Sequence, residues 1–167
     1  MISRTELENQ IKTQSDSSWL FPSQAKAYNE FLSYFKGLYR IVNLHGLQGG
    51  GKTFLSHILF KEKLADYVTS PERIRKSKLP LIIDNSNFDR TFARSMRNKM
   101  RMYDLSQVIL ITRYQVEDFI PSINLKFTEV DREYFRANLF RYLDIKLPKS
   151  NVLNLWEQLM LIGEINE

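Results

Sequence analysis

Apolar side chains at Ala25, Tyr28, Phe31, Leu32 and Phe35 recur at helical spacing, the mark of a helix laid on a core. Phe21-Pro22-Ser23 precedes them as a helix start, and Gly37 ends the run. The pattern then changes: Tyr39-Arg40-Ile41-Val42-Asn43-Leu44 is a β-rich apolar stretch that predicts a buried strand. Helical spacing returns over 53–64, followed by a second strand at 67–69 and a basic connection over 71–78. Leu79-Pro80-Leu81-Ile82-Ile83-Asp84 predicts a third strand, 88–102 a long helix, and Gln107-Val108-Ile109-Leu110-Ile111-Thr112 a fourth strand. A short turn or helix at 116–121, a short strand at 124–127 and helices over 129–143 and 151–162 complete the reading. Strands alternating with helices predict an α/β layered fold with a mainly parallel sheet. Its core spans 19–143, between a polar N-terminal arm (1–18, with a short helix at 6–12) and a C-terminal helix or shortened lid (144–167).

Composition narrows the chemistry. The 167 residues suit one compact domain, and 43% hydrophobic content is enough for a core without covalent staples. Cysteine is absent, which excludes disulfides, thiolate metal sites and cysteine nucleophiles and fits a cytoplasmic setting. His45 and His57 are the only histidines, too few for a histidine-rich metal centre. No apolar run approaches the roughly 20 residues of a membrane span. A net charge of +5 is compatible with an acidic partner such as DNA without requiring one.

The segment Gly46-Leu47-Gln48-Gly49-Gly50-Gly51-Lys52-Thr53 carries the clearest chemistry. It matches G-x-x-x-x-G-K-[ST] at every fixed position and lies between a β-branched strand and an amphipathic helix. Glycines let the backbone wrap an anion and aim N–H groups at phosphate oxygens, and a helix N-terminus adds its dipole. Lys52 is placed to reach β- and γ-phosphates, and Thr53 to set its hydroxyl on magnesium. The segment resembles the Walker A motif of P-loop NTPases. The resemblance implies the three-layer αβα fold of that superfamily and a nucleotide site formed by Gly46, Gln48, Gly49, Gly50, Gly51, Lys52, Thr53 and Phe54, with ATP and Mg2+ as cofactors.

Leu81-Ile82-Ile83-Asp84 resembles a Walker B strand, whose terminal aspartate supplies the hard oxygen magnesium prefers. In the AAA+ branch a catalytic glutamate commonly follows that aspartate; here the position is Asn85. An amide orients water but does not take its proton, so slow hydrolysis, or hydrolysis completed by Glu72, Asp89 or a partner's residue, is expected. Thr112, at the end of its strand, matches by type and order the AAA+ sensor 1 residue that positions the attacking water.

Arg90, Arg94, Arg97 and Arg101 follow one another by four, three and four residues and so share one helix face. That face reads as a solvated surface, as a phosphate track for DNA, or as the source of an arginine finger, Arg97 or Arg101, for a neighbouring subunit. Arg136 and Arg141 are further candidates for pointing at the nucleotide.

Three functions remain open at this point. The first is an AAA+-like ATPase that regulates or loads a DNA-handling assembly, with a partner protein or copies of itself. The second is a P-loop kinase acting on a nucleic-acid end or small molecule, since Asp84-Asn85-Ser86-Asn87 resembles a stretch of some kinases and Asp66, Glu72 or Asp89 offers a base. The third is an adaptor that holds nucleotide without hydrolysing it.

Overall fold

Among the described residues five strands form one parallel sheet: β1 (Ile41–His45), β2 (Asp66–Val68), β3 (Leu81–Ile83), β4 (Val108–Thr112) and β5 (Ser122–Asn124), in the order β2-β3-β4-β1-β5. This computed structural model describes residues 4–84, 86, 90–117, 119–147, 155 and 157. Helices α1 (Arg4–Gln14), α2 (Pro22–Lys36), α3 (Lys52–Lys61), α4 (Arg90–Met102) and α5 (Glu129–Leu143) accompany the strands. Among the described residues no helix is long and apolar enough to cross a membrane.

Layering follows from the two-residue alternation of strand side chains. Ile82, Ile109 and Ile111 join Val42 and Leu44 on one face, under Ala27 and Phe31 of α2 and Leu55, Ile58 and Leu59 of α3. Leu81, Ile83, Val108 and Leu110 point to the other face, against Met96 and Met100 of α4. Burial on both faces explains why these strands read as continuous apolar runs.

Three expectations shift in detail. The buried line of α2 is Gln24, Ala27 and Phe31, while Ala25, Tyr28 and Phe35 are half-buried at its margin. The last strand, expected at 124–127, pairs at Ser122–Asn124 instead. Leu125 N still donates to His45 O at 2.8 Å, but β1 ends there, and the pairing with it stops. The N-terminal helix extends past the expected 6–12 to Arg4–Gln14. Leu7 and Ile11 are buried against Trp19, Leu139 and Leu147. Lys61, at the end of α3, donates to the carbonyl oxygens of Thr13 (2.6 Å) and Ser15 (2.5 Å), supplying partners that the C-terminus of α1 lacks.

Thr128 and Asp131 form a capping box on α5, and the buried Asp131 also accepts from Ser23 N at 2.9 Å. One carboxylate thereby serves the first turns of both α2 and α5 and fixes the first turn of α2 beside the glycine loop. Of the expected helix over 151–162, Leu155 and Glu157 are helical, and the remainder lies outside the described residues.

Candidate nucleotide site

β1 delivers the chain to the loop, and α3 begins at Lys52. Two glycines are required by their surroundings. Gly46 has φ +151°, and a Cβ there would stand 2.2 Å from Leu125 O. Gly51 caps α3 in the left-handed region, φ +84°, where a Cβ would meet Gln24 Nε2 at 2.4 Å. The loop closes on itself through Gly50 N to Leu47 O (3.2 Å) and is tied from outside by Leu155 N to Gly49 O (3.1 Å) and Gln24 Nε2 to Gly51 O (3.0 Å). Gln48 is exposed, and Phe54 is half-buried between the sheet core and the cluster around Trp19.

Lys52 Nζ folds back over this loop, donating to Gly46 O at 2.6 Å and Leu47 O at 2.8 Å. Burial depresses its proton affinity, Asp84 opposes that shift, and the positive charge of Arg113 adds to it. His45, at the end of β1, is likewise held below its ordinary value, first by burial and then by Lys52.

Asp84 follows β3 and is buried. The turn is fixed by Asp84 N to Val68 O (3.0 Å) and Ser86 N to Ile111 O (3.1 Å). Asp84 Oδ2 accepts from Thr53 Oγ1 at 3.1 Å and from Tyr67 Oη at 2.6 Å. The loop threonine and the strand-end acid are therefore brought together. A hydroxyl and a carboxylate side by side, at the foot of a glycine loop, are the hard oxygen donors that suit magnesium. Tyr67 is raised well above the ordinary phenol value by burial and by its bond to Asp84.

Thr112 is buried at the end of β4, directly opposite His45. Its hydroxyl accepts from Asn43 Nδ2 at 2.8 Å and donates to Tyr114 O at 2.5 Å. Asn85 lies outside the described residues, as does the Arg90 side chain. Arg94, Arg97 and Arg101 are exposed on α4, away from the buried Met96 and Met100, and among the described residues none of them is in an ion pair. Asp66 begins β2, at the end away from Asp84, and accepts the Ser77 hydroxyl. Arg136 is engaged by Glu133 and Leu147 O, and the Arg141 guanidinium lies over the Tyr142 ring. Glu72 is exposed in the short turn after β2, and its carboxyl is held below its usual value chiefly by a hydrogen bond from the Ser70 side chain.

Four residues at or behind the loop escaped the sequence reading: Gln24, Asn43, Tyr67 and Arg113. Gln24 had a signal, since it precedes Ala27 and Phe31 by three and seven residues and is a polar residue on a buried line. Asn43 had one too, as an amide inside an apolar strand. Tyr67 and Arg113 had none beyond their nearness to strand ends.

No protein-family model matches this chain, and no curated protein matches it. Solved structures do. The chain is similar to a DNA replication initiation factor at 18% identity, with a TM-score of 0.59 over 84% of this chain and 58% of that one. It is similar also to the replication initiator DnaA bound to AMPPCP and single-stranded DNA, at 17% identity and a TM-score of 0.55 over the same shares, 84% and 58%. The chain thus spans little more than half the length of these initiators. Similarity at these identities is one of architecture, and it shows the fold alone: the three-layer αβα arrangement on a parallel sheet that the P-loop resemblance implies.

Proposed function

We propose that this chain is an ATP- and magnesium-binding ATPase of the AAA+ type, a small regulator or loader in a DNA-handling assembly whose hydrolysis is weak or depends on a partner. One arrangement carries the reading: the glycine loop leads into α3 with Lys52 Nζ over Gly46 O, while Thr53 Oγ1 meets Asp84 Oδ2 at 3.1 Å. Loop N–H groups and Lys52 take the phosphates, and Thr53 and Asp84 hold magnesium. Bound magnesium neutralises charge shared by the β- and γ-phosphates.

The DNA-handling half has two supports. One similar structure is an initiator carrying a nucleotide analogue and single-stranded DNA. Arg94, Arg97 and Arg101 are exposed on α4, where arginines neutralise backbone phosphates or complete a neighbouring subunit's site. A second reading, nucleotide held without turnover, is favoured by Asn85, whose amide takes no proton from water.

Incubation with γ-labelled ATP and magnesium, with and without DNA, against a Lys52→Ala control separates these outcomes. Phosphate release that rises with DNA and vanishes in the control is the expected result. Nucleotide bound but intact under every condition would replace the ATPase with the non-hydrolysing adaptor, and label on an acceptor would replace it with a kinase.

A further inference from the structure

We infer that Arg113 is a second phosphate cation of this site, reaching the terminal phosphate of a bound triphosphate from the same chain and thereby separating triphosphate from diphosphate. The inference rests on the nucleotide reading above and adds the residue that senses the γ-phosphate.

The sheet order places it. β4 lies between β3 and β1, so its C-terminal end emerges between Asp84 on one side and the glycine loop on the other. Thr112 is in register with His45, and Arg113 therefore leaves β4 level with Gly46, where β1 turns into the loop. In a P-loop site the γ-phosphate is the group shared by loop lysine and metal, and it lies between them. The end of β4 is the stretch of chain facing that position.

Thr112 is not the group to meet it. A hydroxyl has one proton to donate. Thr112 gives that proton to Tyr114 O at 2.5 Å and accepts from Asn43 Nδ2 at 2.8 Å. Asn43 also donates to Leu110 O (3.1 Å) and accepts from Val116 N (3.2 Å), so the whole turn is pinned from the sheet interior. Thr112 builds the turn; Arg113 is what the turn presents.

Arg113 is exposed, and its guanidinium lies 5.5 Å from the centroid of the Tyr114 ring. Among the described residues no carboxylate pairs with it. Arg113 follows the residue opposite His45, and Lys52 Nζ donates to Gly46 O at 2.6 Å, so both cations are carried at the same end of the β1–β4 pair. Two neighbouring cations, with Asp84 already accepting from Thr53 and Tyr67, form a site that an anion resolves. A planar guanidinium suits a phosphate presenting two or three oxygens.

Equilibrium binding of ATP and of ADP, each with magnesium, to the wild-type chain, Arg113→Ala and Arg113→Lys tests this. Arg113→Ala is expected to weaken ATP about tenfold while moving ADP by less than about twofold, with Arg113→Lys recovering part of the ATP affinity. Should alanine unsettle the turn, seen as a lowered melting temperature, Arg113→Gln keeps an uncharged polar side chain there and makes the same comparison. Equal loss for ATP and ADP, or unchanged ATP affinity, overturns the inference and leaves the nucleotide reading standing. A wild-type chain that binds neither nucleotide overturns both.

Discussion

Tyr67 Oη donates to Asp84 Oδ2 at 2.6 Å, on the same carboxylate oxygen that accepts from Thr53 Oγ1 at 3.1 Å. β2 and β3 are parallel neighbours with Val68 opposite Ile83, so Tyr67 reaches Asp84 across one strand spacing. The phenol fixes the rotamer of the acid and, in the proposed magnesium site, stands where outer partners of metal ligands usually stand. Tyr67→Phe keeps the ring and removes only the donor. Magnesium-dependent tightening of nucleotide binding is expected to weaken roughly tenfold in this variant, the lower end for such partners. Nucleotide binding in the presence of a chelator should be unaffected. Titrating magnesium at fixed nucleotide reads this directly, and an unchanged midpoint would show that Asp84 needs no help from Tyr67.

The loop's shape makes a separate prediction at Gly46. A Cβ there would lie 2.2 Å from Leu125 O, a backbone atom held in place by the Leu125 N bond to His45 O. Nothing flexible can yield, and φ +151° is strained for any other residue. Gly46→Ala is therefore expected to lower stability by roughly 1–3 kcal/mol, the cost of a backbone forced from its site. Gly37 is the internal comparison. It has φ −90°, and its nearest atom to a new Cβ is 3.4 Å away. Gly37→Ala should be neutral or stabilising by about 0.4–1 kcal/mol. Urea midpoints of the two variants decide it; equal losses would mean that the close approach to Leu125 does not govern the loop.

What could be read in advance divides along a physical line. Strands and helices announced themselves because each has a period and both faces of the sheet are covered, so Ile82, Ile109 and Ile111 alternate with Leu81, Val108 and Leu110 in plain view. The loop was legible for another reason: its chemistry is carried by neighbouring residues within a single turn of chain. Tyr67 and Asp84 are 17 residues apart, and Gln24 and Gly51 are 27 apart. Only the order of strands and the packing of α2 bring those pairs together, and no local pattern encodes that. Thr112 illustrates a different limit, since its residue type matched a sensor while its proton is directed to Tyr114 O. The shift of β5 is a third case, because the point where pairing stops is set by the turn at Gly46 on another strand.

Tyr28 supplies a pH dependence. Its phenol is pushed up from 10.0 to about 12, first by burial and then by its hydrogen bond to Glu62, which it makes at 2.6 Å. A raised value means that the folded state prefers the neutral phenol. The stabilisation is complete below pH 10.0 and is lost as pH rises through the folded value of about 12. Other groups ionise in the same window, so the informative quantity is a difference. Tyr28→Phe should be less stable than the wild type near neutral pH, and the gap between them should close as pH approaches about 12. Urea midpoints measured across that window give the result. A gap that stayed constant with pH would show that the Tyr28 bond to Glu62 is not coupled to folding.

The N-terminal helix is expected to unfold with the body of the protein. Leu7 is 1% exposed and sits in a cluster with Ile11, Trp19, Leu139 and Leu147, all buried. Trp19 stacks on Tyr142 with ring centroids 4.5 Å apart, and Asn138 Nδ2 donates to Trp19 O at 2.8 Å. Truncating a leucine at such a site removes apolar contact and leaves a cavity, which costs about 2–5 kcal/mol. Leu7→Ala should lower the global unfolding midpoint by that amount. Helical signal and Trp19 fluorescence, read in a Trp156→Phe background, should fall together in both proteins. An N-terminal helix that was merely resting on α5 would behave differently: helical signal would begin to fall before the fluorescence, and Leu7→Ala would leave the main midpoint where it was.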